Sequence, residues 1–243
     1  MLNAFFQFQQ FRIEQAESGM KVTTDACLFG AWVATQLGNP SRILDIGAGT
    51  GLLSLMLAQK TSDSIIDAIE IDASASIEAR NNFISSPWKD RLQLTHQAIQ
   101  SFNAVGRFDV IVSNPPFYEG SQQGNSASRN KALHETTLTQ EELFDAFKQH
   151  LRPEGRFFIL YPEHEFNQFE RLVSATFYCV EKVVVRNKVA DSVFRIMGTF
   201  QKKSKPPVIS ELIIRHADQR YTDDFWRLLS AYYLPYNNPA LKQ

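Results

Sequence analysis

Ile43-Leu-Asp-Ile-Gly-Ala-Gly-Thr-Gly-Leu-Leu53 is the stretch that decides how this chain folds. Apolar residues run into Asp45, three glycines follow at alternate positions, and apolar helical spacing takes over at Leu52, Leu53, Leu55, Met56 and Leu57. That order reads as a buried strand, a tight turn and the start of a helix. Glycine permits positive φ and lets a ligand approach the main chain. Gly47, Gly49 and Gly51 are spaced G-x-G-x-G, whereas dinucleotide-binding turns use G-x-G-x-x-G. No Lys-Ser or Lys-Thr pair follows, so a nucleoside triphosphate loop is excluded. An acidic residue just before the turn suits a cationic ligand better than a pyrophosphate.

Further along, Phe108-Asp-Val-Ile-Val-Ser-Asn-Pro-Pro-Phe-Tyr118 reads as another buried strand, ending in Asn114, Pro115, Pro116 and Phe117. Two prolines fix two φ angles and remove two N–H donors, so neither sheet nor helix absorbs the local carbonyls. What remains is a rigid rim of acceptors, the Asn114 side chain and the Pro115 carbonyl, with an aromatic face beside it. Together the two stretches point to S-adenosylmethionine. They resemble class I methyltransferases, in the branch that methylates exocyclic or amide nitrogens.

The rest of the chain supplies the alternation that such a fold needs. Residues 3–13 read as a strand or extended arm, with Phe6, Phe8 and Phe11 on one face. A helix begins near residue 24, with Thr24 or Asp25 as its N-cap. Residues 64–72 form a strand with acids at its carboxyl end, and Glu70 lies 25 positions beyond Asp45, as a strand–turn–helix–strand unit requires. There Glu70 is expected to accept two hydrogen bonds from ribose hydroxyls. A helix over 73–84, a strand over 91–96 with a turn at Gln97 and Ala98, and the strand 108–113 follow. Beyond a polar loop, an amphipathic helix spans 139–151 and carries a capping box. Pro153-Glu-Gly155 turns into a strand over 156–161, then come a helix over 163–175 and strands over 177–186 and 193–201. The expected fold is therefore α/β: a doubly wound, mostly parallel, seven-stranded, Rossmann-like sheet with ligands at the strand carboxyl ends. Residues 1–201 are expected to make the methyltransferase domain, including a short N-terminal arm over 1–40. Residues 202–243 form a basic linker and a C-terminal extension packed on the same domain.

At 243 residues the chain supports one well-cored domain with modest additions. Nineteen phenylalanines are many, and some are expected to be stacking surfaces and not core. Cys27 and Cys179 make no metal-type or redox-type pair, which implies a reduced, cytoplasmic protein. The opening residues lack the basic leader of a secretory signal, and no apolar run approaches membrane-spanning length. His96 and His134 have no ligand partners at useful spacing, so no metal is expected. Net charge is −1, but residues 182–220 hold nine basic residues against three acids. That asymmetry favours an anionic partner on one side.

Phe11-Arg-Ile, Met20-Lys-Val-Thr-Thr-Asp-Ala-Cys-Leu-Phe-Gly-Ala-Trp32, Asp67-Ala-Ile-Glu-Ile71, Ser86-Pro-Trp-Lys-Asp-Arg91 and the two stretches above resemble bacterial tRNA(Val) adenine-N6-methyltransferases. The resemblance implies methylation of the adenosine immediately 3′ of the anticodon. The expected partner is tRNA, with no membrane, and the protein is expected to be a monomer. Thr23 stands where the family would have Gly, and Leu133 where it would have Arg. The expected catalytic rim is Asn114, Pro115, Pro116 and Phe117, with Phe117 stacking on the base. Expected cofactor contacts are Thr24, Asp45, Gly47, Ala48, Gly49, Glu70, Ile71, Gln97, Ala98 and Asn114. Expected RNA contacts are Lys21, Arg129, Lys131, Arg186, Lys188, Arg195, Lys202, Lys203 and Lys205. The competing readings are methylation of guanine N2 in rRNA, methylation of a protein glutamine, and an inactive RNA-binding module on the same fold.

Overall fold

The computed structural model describes residues 4–116 and 138–235. Its first elements are an antiparallel hairpin, β1 (Phe5–Gln7) and β2 (Arg12–Glu14), and helix α1 (Thr24–Gln36). Strand and helix then alternate through β3 (Arg42–Ile46), α2 (Leu52–Lys60), β4 (Ile65–Glu70), α3 (Ala73–Ile84), β5 (Leu92–His96) and β6 (Phe108–Ser113). Next come α4 (Gln140–His150), β7 (Leu151–Tyr161), α5 (Glu163–Val173), β8 (Tyr178–Arg186), β9 (Val193–Gln201), β10 (Val208–Ile213) and α6 (Asp223–Leu229).

The main sheet has eight strands in the order β10-β8-β9-β7-β6-β3-β4-β5. Only β9 runs against its neighbours. The carboxyl ends of β3 to β8 and β10 therefore share one edge, which the glycine turn and Asn114 both occupy. The count exceeds the expected seven because residues 208–213 pair in parallel with β8, from Val208 opposite Glu181 to Ile213 opposite Arg186.

Both faces of the sheet are covered, which explains the near-continuous apolar runs of the central strands. Successive residues alternate between two cores. Ile43, Val110, Val112 and Phe158 pack with α1, α2 and α6, while Leu44, Ile111, Phe157 and Ile159 pack with α4 and α5. The phenylalanines are mostly core: fourteen of the nineteen are buried. Phe157 stacks on Phe147 at 4.0 Å and on Phe200 at 5.0 Å. The expected stacking role fits Phe5, which is exposed and lies under the Arg12 guanidinium at 3.6 Å.

Two local expectations change. The N-cap of α1 is Thr23, whose side chain accepts the Ala26 N–H; Thr24 is the first helical residue. Asp25 is unavailable as a cap because it pairs with Arg195 at 2.9 Å. Thr23 sits in extended backbone (φ −119°), which any residue adopts, so Thr in place of Gly is unstrained here. Pro153 to Gly155 do not precede the strand but lie within β7. The pairing slips from Phe108 opposite Leu151 to Val110 opposite Arg156, so the extra residues bulge out of the ladder.

Candidate active site

The glycines of the turn after β3 have two different reasons to be glycine. Gly47, Gly49 and Gly51 all have positive φ (72°, 56° and 83°). A Cβ on Gly47 or Gly49 would meet nothing within 4 Å, and both residues face a cavity. A Cβ on Gly51 would lie 2.4 Å from the Phe83 ring, so there the turn needs glycine to let α3 approach. Gly47 and Ala48 donate their N–H groups to the Ile69 carbonyl at 2.9 and 3.0 Å, which pins the turn to the end of β4.

The cavity holds about 600 Å³ and runs along the shared carboxyl edge. Its walls include Gly47, Ala48 and Gly49, Glu70 and Ile71, Gln97 and Ala98, and Asn114 to Pro116. Four stretches that are separate in sequence thus meet around one space. Glu70 is buried and already accepts the Gly49 N–H at 2.7 Å and the Asp72 N–H at 2.8 Å. A carboxylate has about four acceptor positions, so two remain for ligand hydroxyls. At the rim, Ser113 donates to the Ile46 carbonyl at 2.9 Å and ties β6 to β3. Asn114 Oδ1 next to it is buried and has no hydrogen-bond partner among the described residues. An orphaned acceptor in a native site calls for a ligand that supplies the donor.

Several expected residues sit elsewhere. Asp45 is fully buried beneath the turn and off the cavity wall. One carboxylate oxygen accepts the Ser54 N–H at 3.1 Å and hydroxyl at 2.7 Å, and so braces the first turn of α2. Thr24 also lies off the wall, which is built there by Ser18 to Val22 and by Ala26. Phe117, Arg129 and Lys131 lie outside the described residues. Sequence reasoning missed Ser18 to Val22, Gln100, and the Leu138, Thr139 and Glu142 group at the start of α4, all of which line the cavity. The capping box was legible, and Glu142 does bond the Thr139 N–H at 2.9 Å, which holds its carboxyl below the usual range. Nothing local marked that helix start as a cavity wall.

Comparison with known proteins agrees with this geometry. Residues 30–190 match the methyltransferase small domain family. A relative from Dyadobacter fermentans, called tRNA1(Val) (adenine(37)-N6)-methyltransferase, is 40% identical over 239 residues, covering 96% of this chain and 99% of its own. One from Bacteroides thetaiotaomicron with the same name is 37% identical over 96% of this chain and 99% of its own.

The chain belongs to this methyltransferase family.

A solved structure from Agrobacterium tumefaciens, described as a predicted O-methyltransferase, shares the fold at a TM-score of 0.67 and 15% identity, covering 85% of this chain and 96% of that one. The cavity fits the family's S-adenosylmethionine. Gly47 and Gly49 leave open space against the backbone, and Glu70 keeps free acceptor positions.

The expected RNA contacts separate into distinct groups. Lys21 donates its ammonium to the carbonyls of Gln15, Ala16 and Ser18, so it braces the chain locally. Arg195 is paired with Asp25, and Arg186 with Glu211 at 2.7 Å. Lys188 follows the carboxyl end of β8, on the cavity edge, and makes no ion pair among the described residues. Lys202, Lys203 and Lys205 follow β9, which runs the other way, so they lie at the opposite edge. Eight steps of strand separate the two edges, about 27 Å. Among the described residues no group of His, Cys, Asp and Glu could hold a metal ion, and no helix is long and apolar enough to cross a membrane.

Burial pushes the Asp45 carboxyl up to about 7; the Ser54 hydroxyl and N–H oppose the rise, and Glu70 adds to it. Folded Asp45 therefore keeps a proton that the unfolded chain loses near 3.8. Its contribution to stability is full below that pH and disappears as pH rises through about 7. Asp45→Asn carries no such proton. Relative to wild type, it should gain on the order of 2–4 kcal/mol between pH 4 and pH 7.5. Urea unfolding at the two pH values measures this. A difference that is the same at both would show that Asp45 is ionised throughout.

Proposed function

We propose that this protein transfers the methyl group of S-adenosylmethionine to the N6 amino group of an adenosine in tRNA, at position 37 of tRNA1(Val), the reaction its relatives are named for. The observation that carries the chemistry is Asn114 Oδ1, an acceptor on the cavity wall with no partner among the described residues, beside a residue with no N–H of its own. S-adenosylmethionine bound in the cavity supplies a methyl group on a cationic sulfur. The chain's own task is to make a poor nucleophile attack.

The N6 lone pair of adenine is delocalised into the ring. If Asn114 Oδ1 and the Pro115 carbonyl each accept one amino hydrogen, the nitrogen is drawn toward a tetrahedral shape and its lone pair becomes available. Both acceptors are held in advance, by the fixed φ of the prolines and by the Ser113 bond to β3. Their interaction strengthens as positive charge builds on the nitrogen, so they act chiefly in the transition state. The base must leave the anticodon loop to reach them, and Phe117 is the proposed face on which it stacks. Mass spectrometry of nucleosides from treated tRNA should show N6-methyladenosine. A product found only on guanine or on protein glutamine would overturn this reading.

The charge pattern gives a second expectation. The base is captured at the cavity edge, so Lys188 should contact backbone phosphate more closely than the lysines about 27 Å away along the strands. Lys188→Glu should weaken tRNA binding and lower the slope of log affinity against log salt by about 1. Lys203→Glu should do so less. Fluorescence anisotropy across a salt series checks this. A larger loss at Lys203 would move the tRNA to the far edge.

A further inference from the structure

We propose that Glu78 and Asn82 are positioning residues for cofactor binding, which fasten residues 14–22 as a wall of the cavity without touching the ligand. This rests on the cavity being the S-adenosylmethionine site. The two side chains lie one turn apart on α3 and are buried. Glu78 accepts two consecutive backbone donors, the N–H of Glu17 at 2.7 Å and of Ser18 at 2.9 Å, one on each carboxylate oxygen. Asn82 accepts the Glu14 N–H at 2.9 Å and donates to the Glu14 carbonyl at 3.0 Å, as a neighbouring strand would. Its second donor reaches the Thr50 carbonyl in the glycine turn at 2.9 Å. One amide therefore joins the N-terminal arm, α3 and the turn that faces the cavity.

These bonds carry most of the anchoring, since between Ile13 and Ala26 only Val22 reaches the apolar core, and it is only partly buried. Between Ile13 and Ala26 no apolar side chain is fully buried; the buried side chains there are Gln15, Ser18 and Asp25. Gln15 closes the segment on itself by accepting the Val22 N–H at 2.7 Å, and the Lys21 ammonium gathers three of its carbonyls. The far end of the segment, Ser18 to Val22, is cavity wall. A segment held mainly by polar contacts is at the low end of local stability. A wall that must be ordered anew on binding weakens affinity, whereas one ordered in advance does not.

The test is calorimetric titration of S-adenosylmethionine into full-length Glu78→Gln and Asn82→Asp. Each should bind about tenfold more weakly than wild type. Hydrogen exchange in residues 14–22 should quicken, and turnover at saturating cofactor and tRNA should stay near wild type. Gln15→Met removes the acceptor for Val22 without altering α3 or any cavity residue, and it should weaken binding in the same way even if an α3 variant fails to fold. Unchanged affinity with faster exchange would overturn the proposal, as would a loss of turnover that cofactor saturation cannot restore. Wild-type protein that binds no S-adenosylmethionine would overturn the assignment of the cavity itself, and the clasp with it.

Discussion

Asn114→Ala should lower turnover by about a hundred- to a thousandfold, the usual cost of removing one preorganised transition-state contact. Cofactor affinity and the unfolding midpoint should stay close to wild type. The variant removes an acceptor that has no hydrogen-bond partner among the described residues. The β6 end stays tied through Ser113, and the prolines still set the backbone. Single-turnover kinetics at saturating tRNA and cofactor separate this from a binding defect. If the loss appeared only as a raised KM, Asn114 would hold substrate without activating it. A variant with nearly normal turnover would mean that the amino group sits elsewhere in the cavity.

Gly51→Ala should produce the largest loss of stability in the glycine turn. The new methyl would stand 2.4 Å from the Phe83 ring, on a backbone with φ of 83°. Left-handed backbone and overpacking together cost about 2–5 kcal/mol, which for a chain of this size lowers the unfolding midpoint by roughly 5–15 °C. Gly49→Ala provides the contrast. Its methyl meets no atom within 4 Å, so only the dihedral cost of about 1–2 kcal/mol applies. Because the methyl enters the cavity, its main effect should be on cofactor affinity. Thermal unfolding and calorimetry of both variants distinguish the two roles. Phe83→Leu should recover part of the loss in Gly51→Ala, since the two residues share one contact. If both glycine variants lost the same stability, close approach of α3 would not be the reason for Gly51.

Where the information is local, reading the residues was enough. The strands 108–113 and 193–201 and the helix 73–84 end at the residues expected from apolar runs bounded by Ser, Pro, Gly or polar residues. The glycine turn and Asn114-Pro115-Pro116 could also be recognised, because φ demands and missing donors are properties of the residues themselves. What lay beyond reach depended on partners distant in the chain. Thr24 or Asp25 was expected to cap α1, but Thr23 does, and Asp25 instead pairs with Arg195, 170 positions away. That the short strand readable from Val208 onward joins the main sheet as its eighth strand depends on the open edge of β8, which no local pattern records. The basic excess in residues 182–220 was visible as a count. Its meaning was not, since Lys182 and Arg195 pair with acids outside that stretch and Arg186 with Glu211 within it, and strand direction carries the three later lysines away from the cavity. Sequence determined which groups this protein has for methyl transfer. Only the tertiary structure decided which of them face the cavity, because the direction of a strand and the partner of a charge are set by the whole sheet.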